Sequence, residues 1–192
     1  METRPPAVDP LAERKKALRE QLLALRASMP DRADRERVLV NRVRRWLNTM
    51  VTSRLAFYWA VRGECDLTAL IAEWLSGDAK RVASLPVVEG DVLAFAAWTP
   101  RTELSMGAYD IPSPPSTAPR VTPQVMLIPC VAIDQNRYRL GYGGGYYDRT
   151  LARLSTRPVL VGIAFDCGRV KNLAPAPHDI RMDLAITESG VL

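Results

Sequence analysis

The sequence predicts a mixed α/β fold, a three-layer α/β/α sandwich around a largely parallel sheet. Three observations predict it. Short apolar runs at 55–60, 92–98, 125–133, 159–165 and 184–187 alternate with segments of helical period. A cluster of four glycines within residues 141–145 stands between an apolar run and an amphipathic segment, the order of strand, turn and helix. The chain has 192 residues, 47% apolar and 24% charged, enough for one sizeable domain with a core.

The elements follow in order. Residues 1–9 hold prolines and charges without an apolar core, so they read as a disordered tail and not as a secretory signal. A single domain is expected over 10–192. Asp9-Pro10 is a helix start, a capping residue followed by proline in the first turn. Leu11, Leu18, Leu22, Leu25 and Met29 then recur at helical spacing. Lys15 falls inside that apolar stripe and Arg19 lies one turn further on the same side. A lysine there either snorkels to the edge or meets an anion. Pro30-Asp31 opens a second helix with Leu39, Val43, Trp46 and Met50 on one face. A short strand at 55–60 follows, then a helix capped by Asp66, carrying Leu67, Leu70, Ile71, Trp74 and Leu75, and closed by Gly77. Strands are expected at 81–85 and 92–98. The stretch 99–124 is a proline-rich connection with Pro100, Pro112, Pro114, Pro115, Pro119 and Pro123. A loop that long in a compact domain is usually functional, and here it would roof a ligand site. Residues 125–133 read as one buried strand, 146–154 as a helix, and 159–165 and 184–187 as strands.

Composition narrows the function classes. No apolar stretch approaches the length of a bilayer span. Cys65, Cys130 and Cys167 are odd in number and far apart, without zinc or disulfide spacing, so free thiols in a reducing, cytoplasmic compartment are expected. The net charge of +5 is uneven, +7 over residues 1–62 and −2 over the remainder. A basic half suits a polyanion, but Arg32, Arg35, Arg37, Arg42, Arg44 and Arg45 lie among acids, as on a solvated helix face.

The glycine cluster, Arg139 to Asp148, carries the chemistry. Glycine permits positive φ and close approach of a ligand, and amides at a following helix start form an anion site. Arg137, Arg139 and Arg149 flank it, and Asp148 supplies a carboxylate in the first turn. The pattern is neither the P-loop nor the dinucleotide fingerprint, since no Gly-Lys-Ser/Thr follows and Tyr146 stands at the sixth position. The glycines alone suit a sterically tight turn equally well, and the flanking Arg139 and Asp148 tilt the reading to a nucleotide phosphate cradle.

The run from Pro129 to Leu151, with Arg139-Leu140-Gly141-Tyr142-Gly143-Gly144-Gly145-Tyr146-Tyr147-Asp148 at its centre, resembles the signature of the 5-formyltetrahydrofolate cyclo-ligase family. Lys15-x-x-Leu18-Arg19, the Tyr58 to Glu64 block with Thr68 and Leu70-Ile71, and Pro177-His178-Asp179 through Asp183 to Thr187-Glu188 extend the likeness over roughly residues 11–190. The resemblance implies a NagB/RpiA/CoA-transferase-like sandwich. It also implies ATP-dependent closure of 5-formyltetrahydrofolate to 5,10-methenyltetrahydrofolate, in one-carbon metabolism. It implies ATP binding by Lys15, Arg19, Arg139, Leu140, Gly141, Tyr142, Gly143, Gly144, Gly145, Tyr146 and Tyr147, with Arg139 and Lys15 catalytic. Trp59 and Glu64, with Tyr142 to Tyr146, would contact the folate. Asp148 and Asp183 would hold Mg²⁺.

Further expectations follow. A monomer acting on reduced folate, polyglutamylated or not, and ATP is expected, with no nucleic-acid or membrane partner. No covalent enzyme nucleophile is required, so the cysteines are expected to be dispensable. His178, the lone histidine, reads as a loop residue held by Asp179 or a carbonyl. Asp183 reads from sequence alone as a strand-start surface acid, Glu64 equally as a folate contact or an ordinary surface acid, and Tyr146 and Tyr147 either contact ligand or pack the helix on the sheet. Two departures from the family pattern stand out. Asp110-Ile111-Pro112-Ser113-Pro114 replaces Gly-Ile-x-Glu-Pro, and Tyr142 and Gly144 stand where some members carry basic residues. The alternatives are a non-catalytic RNA-binding protein on the same fold, or a sugar-phosphate isomerase or acyl transferase on a similar sheet.

Overall fold

Proline in a first helical turn and a stripe of leucines give the first helix, α1 (Pro10–Ala27), in a computed structural model that describes residues 10–192. The expected tail at 1–9 and the Asp9 cap lie outside the described residues. After α1 come α2 (Arg32–Leu47), β1 (Arg54–Ala56), α3 (Thr68–Ser76), β2 (Val82–Glu89) and β3 (Val92–Trp98). The connector holds β4 (Ser105–Met106) and β5 (Pro112–Ser113). Then follow β6 (Val125–Pro129), β7 (Ala132–Asp134), β8 (Arg139–Leu140), α4 (Tyr146–Arg153), β9 (Val159–Ile163), β10 (Arg169–Val170) and β11 (Leu184–Ile186).

The main sheet has six strands in the order β11-β9-β6-β1-β2-β3. All neighbours run parallel except the β2–β3 hairpin. Both faces are covered, which is why β6 reads as a continuous apolar run. Val125 and Leu127 point into one core with Leu39, Val43, Ile71 and Trp74 of α2 and α3. Met126 and Ile128 point into the other, with Phe95, Leu160 and Met182, against which Tyr147 and Leu151 of α4 pack. The alternation along one strand thus feeds two layers of helices.

Several expected boundaries move. The run 125–133 is not one strand. Cys130 N–H still donates to Ile163 O of β9, but Val131 N–H donates to Leu140 O, so the chain changes partner there. Residues beyond join a second sheet, β10-β7-β8. Asp134, fully buried, fixes that departure by accepting the N–H groups of Asn136, Tyr138 and Leu173. The strand expected at 55–60 shortens to Arg54–Ala56, and Met50 falls beyond the end of α2. Gly77 ends α3 without the left-handed conformation, at φ −76°. The Asp66 carboxylate accepts the N–H of Thr68 at the start of that helix.

On α1 the expected stripe is displaced. Leu25 is 46% exposed, while Leu22 and Arg26 are buried and Lys15, Leu18 and Arg19 partly so. The inward face of α1 therefore carries three cations, and a third cluster with Val131, Ala132, Leu140 and Leu173 ties the helix to the small sheet.

Several cations of the basic first half are paired. Arg37 meets Asp34 and Arg44 meets Glu73, the solvated-face pattern, while Arg35 meets the buried Glu188. The connector folds as a small hairpin, β4 against β5. Tyr109 and Asp110 at its tip are both left-handed, at φ 60° and 58°. Asp110 occupies the position where the resemblance has glycine, the residue that takes this conformation freely. Ser113, where it has glutamate, donates to Ile111 O within the hairpin. The Tyr109 hydroxyl lies 2.8 Å from that of Tyr146, so the connector reaches the glycine loop.

Candidate functional site

The two-residue strand β8 delivers the chain into the glycine loop, and α4 receives it. The strand feeding the loop thus belongs to the small sheet, not to the apolar run of the main one. Gly143 and Gly145 take φ 94° and 67°, a conformation that a side chain resists. Among the described residues, the N–H groups of Gly141 through Gly145 donate to no protein acceptor. The first turn of α4 adds amides that no helical bond uses, at the positive end of the helix dipole. Two arginines hold the loop by its carbonyls. Arg19 Nε donates to Gly141 O at 2.7 Å, and Arg149 Nη2 donates to Gly144 O at 2.8 Å. A Cβ on Gly143 would stand 3.3 Å from Arg19 Nη2, so that guanidinium flanks the open amides.

The turn 176–180 gathers the remaining charges. Lys15 Nζ bonds Asp179 Oδ2 at 2.7 Å, so of the two outcomes its place in the apolar stripe left open it meets an anion. Burial works to raise the Asp179 carboxyl, but Lys15 and the Ala176 N–H outweigh it and hold it below its ordinary value. Ile180 N–H donates to Asp148 Oδ1, and Ile180 O accepts from Arg139 Nη1. Arg139 Nη2 closes the set on Asp148 Oδ1 at 2.8 Å, with the Arg139 side chain only 6% exposed. Lys15, Arg19, Arg139, Asp148 and the loop are therefore one assembly. Asp179 is the member that sequence reasoning missed; it entered only as a partner for His178, which lies 3.8 Å from it and is largely exposed. The signal was an acid inside the Pro177-His178-Asp179 stretch.

Asp183 lies elsewhere. It accepts Leu160 N–H at the amino end of β9 and pairs with Arg157 at 2.9 Å. Among the described residues no hydrogen bond or ion pair joins it to Asp148 or to the glycine loop. The surface reading fits only in part, since its side chain is 34% exposed and fastens a strand.

Glu64 is not a surface acid. It is 6% exposed; Tyr142 Oη donates to Oε1 and Val61 N–H to Oε2, both at 2.9 Å. Burial pushes its carboxyl up, against those two donors and the cations Arg26 and Arg62. Tyr142 thus belongs to the loop by backbone and to Glu64 by side chain. Trp59 packs partly buried against the first core cluster. Tyr147 packs against the second core with Arg139 5.8 Å above its ring, so its packing role is realised. Tyr146 sits at the surface, edge-on to Tyr109 and with Arg149 5.0 Å over its ring.

Cys65 and Cys130 are buried free thiols, and burial pushes Cys130 up to about 12. Neither is a thiolate near neutrality. Among the described residues no group of three or more His, Cys, Asp or Glu could hold a metal, and no helix is long and apolar enough to cross a membrane.

Comparison with known proteins bears on the family of the chain. The model of the 5-formyltetrahydrofolate cyclo-ligase family matches residues 11–188. A 5-formyltetrahydrofolate cyclo-ligase of Escherichia coli (strain K12) is 34% identical over 145 residues, 71% of this chain and 79% of the relative. One from Mycolicibacterium smegmatis is 29% identical over 184 residues, covering 90% and 93%. Among solved structures, the Aquifex aeolicus 5,10-methenyltetrahydrofolate synthetase superposes with a TM-score of 0.76 at 32% identity, covering 92% of this chain and 91% of that one.

Proposed function

The chain belongs to the 5-formyltetrahydrofolate cyclo-ligase family, and on that premise we propose that it is a ligase that closes 5-formyltetrahydrofolate to 5,10-methenyltetrahydrofolate at the expense of ATP. The observation that carries the reading is the glycine loop, with five consecutive amides unpaired among the described residues and the Arg19 guanidinium beside them. Such a loop is built for phosphate.

The formyl oxygen attacks the γ-phosphorus of ATP, the bond to ADP breaks, and an imidate-like phosphate ester forms. The neighbouring aryl amine then attacks the formyl carbon, phosphate departs with the oxygen, and the amine loses its proton. Phosphoryl transfer needs positioning and charge neutralisation more than covalent help. The loop amides, Arg19 and Lys15 supply these on the ATP side. Arg139 stays paired with Asp148 and adds fixed positive charge beside it. Leu140, Tyr146 and Tyr147 shape the walls of the ATP site, with Trp59 and Glu64 on the folate side.

Mg²⁺ fits the residues present at one place. Asp148 offers an Oδ2 that no group among the described residues engages, next to the loop amides. Asp183, the second ligand that the resemblance implies, is paired with Arg157 and fastens β9 away from Asp148, so the ion is proposed at Asp148. When bound, the ion neutralises charge on the nucleotide phosphates. The three free thiols support a cytoplasmic enzyme. We propose a monomer that acts on small molecules alone, and no observation favours the RNA-binding alternative.

The test follows the methenyl chromophore in the near ultraviolet after mixing protein, 5-formyltetrahydrofolate and Mg-ATP. An ATP-dependent rise, lost in Asp148→Ala and Arg139→Ala proteins that remain folded, is expected. Folded protein that binds ATP and gives no rise would keep the cradle and sink the folate assignment.

A further inference from the structure

We propose that Arg26 is a positioning residue for the folate: from the end of α1 it balances the buried Glu64 carboxylate and seats the Tyr142 hydroxyl on it, so that the glycine loop and the folate side are set by one guanidinium. The proposal rests on the cyclo-ligase reading and extends it to a residue without an assigned role.

Arg26 is 2% exposed, an uncommon state for arginine unless its charge is matched. Its Nη2 donates to Cys130 O at 2.7 Å, where the chain leaves the main sheet. Its Nη1 lies 3.4 Å from Tyr142 Oη, which donates to Glu64 Oε1 at 2.9 Å. One hydroxyl therefore separates the buried cation from the buried anion. The turn before Glu64 rests on the stem of Arg26. Gly63 is left-handed at φ 72°, and a Cβ there would stand 3.6 Å from Arg26 Cδ. Arg26 and Glu64 also line a cavity of about 10 Å³ with Cys65, Cys130 and Phe165, room for about one water. The guanidinium thus fastens the end of β6, the glycine loop and the turn that carries Glu64.

The consequence is chemical. A carboxylate that accepts two donors still has lone pairs for the N–H groups of a reduced pterin, and protonation would turn one of them into a donor. The groups facing Glu64 are the cations Arg26 and Arg62, the neutral Tyr58, Tyr142, Tyr147, Cys65 and Cys130, and Arg32, which donates to the Glu64 backbone carbonyl. Of the two cations Arg26 is the buried one, where screening by water is weakest. Losing it moves the carboxyl further up in pH.

The test uses the full chain with Arg26→Met and Arg26→Lys. Carbon-13 labelled glutamate reports the Glu64 titration in ligand-free protein. In Arg26→Met it is expected to move up by about one pH unit, while Arg26→Lys keeps it within about half a unit. The acid limb of kcat/KM for 5-formyltetrahydrofolate should follow the same shift, with KM for ATP changed less than about twofold. Arg26→Lys keeps the charge and loses the planar fork, so it should raise KM for the folate about tenfold at neutral pH. An unmoved Glu64 titration in folded Arg26→Met, or equal rises in both KM values, overturns the proposal. If Arg26→Met does not fold, Arg26→Lys decides: a folate KM equal to that of the parent overturns it. The titration needs no turnover. Parent protein that makes no methenyl product would therefore sink the cyclo-ligase reading and leave the Arg26–Glu64 coupling standing.

Discussion

The glycine loop and the Arg26–Tyr142–Glu64 cluster meet at a single residue, Tyr142, and they treat polar groups in opposite ways. In the loop, five consecutive amides have no acceptor among the described residues, and Gly143, Gly144 and Gly145 are exposed. In the cluster, both Glu64 oxygens are engaged and Arg26 and Glu64 are 2% and 6% exposed. Open donors stay available to a ligand, whereas a satisfied buried network fixes one arrangement of the chain. The first region should therefore answer to ATP and the second to folding and shape.

The largest expected effect separates them by stability. Arg139 belongs to the closed kind, with its side chain 6% exposed and paired to Asp148 and Ile180 O. Arg139→Ala should cost about 3 kcal/mol of unfolding free energy, since a half-buried carboxylate is left without its partner. Arg19→Ala, at the open loop, should cost less than about 1 kcal/mol and raise KM for ATP at least about tenfold. Urea denaturation and ATP titration read both. Equal stability losses would erase the division between the regions.

Within the loop, glycines sharpen the contrast. Gly143→Ala forces a left-handed alanine at φ 94° and presses a methyl toward Arg19. It should lose about 1–2 kcal/mol of stability and about tenfold in ATP affinity. Gly141→Ala meets nothing within 4 Å and has no such φ, so both quantities should stay near the parent values. A Gly141→Ala protein as impaired as Gly143→Ala would mean that backbone flexibility, not the shape of the cradle, holds phosphate.

Acid and base should act on the two regions with opposite signs. Asp179, at the cradle, is held below its ordinary value by Lys15 and the Ala176 N–H, against burial. Its contribution is present above about pH 4 and is lost as pH falls through the lower folded value. Glu64 is pushed up by burial, so its contribution is full below about pH 4.3 and is lost as pH rises through the raised value. Asp179→Asn should flatten the stability curve below pH 4, by under about 1 kcal/mol because the pair is partly exposed. Glu64→Gln should flatten it on the other side of pH 4.3. The same slope changed by both variants would contradict the assignment of separate regions.

What the sequence made legible was local. Glycines, prolines and helix caps act over a few residues, so the loop, the start of α4 and the parallel core were readable from spacing. The apolar stripe left Lys15 two readings, a snorkelling charge or an anion partner, and the family resemblance singled out Lys15 and Arg19. The partner was not legible, because Asp179 lies 164 positions away. The end of β6 escaped for the same reason. Asp134 binds Leu173 N–H from 39 positions away, and nothing in an apolar run announces that its last residues will pair with another sheet. Arg26 was hidden by its type, since an arginine near the end of a helix is usually a solvated charge.

A small expected effect on the chemistry belongs to the thiol between the two regions. Cys130 gives its carbonyl to Arg26 and its N–H to Ile163 O, so its backbone serves the closed cluster. Its side chain is 2% exposed, contacts Ile128 O, and has its thiol pushed up to about 12 by burial. A thiol in that state is neutral near pH 7 and is a poor nucleophile. Phosphoryl transfer from ATP to a formyl oxygen also leaves no step for an enzyme-bound intermediate. Cys130→Ser keeps the backbone bonds and a small polar group in the same space, so kcat should fall less than about threefold and stability by under about 1.5 kcal/mol. A folded Cys130→Ser protein with under about 1% of the parent kcat, a barrier increase of about 2.7 kcal/mol, would place a covalent step in the reaction after all.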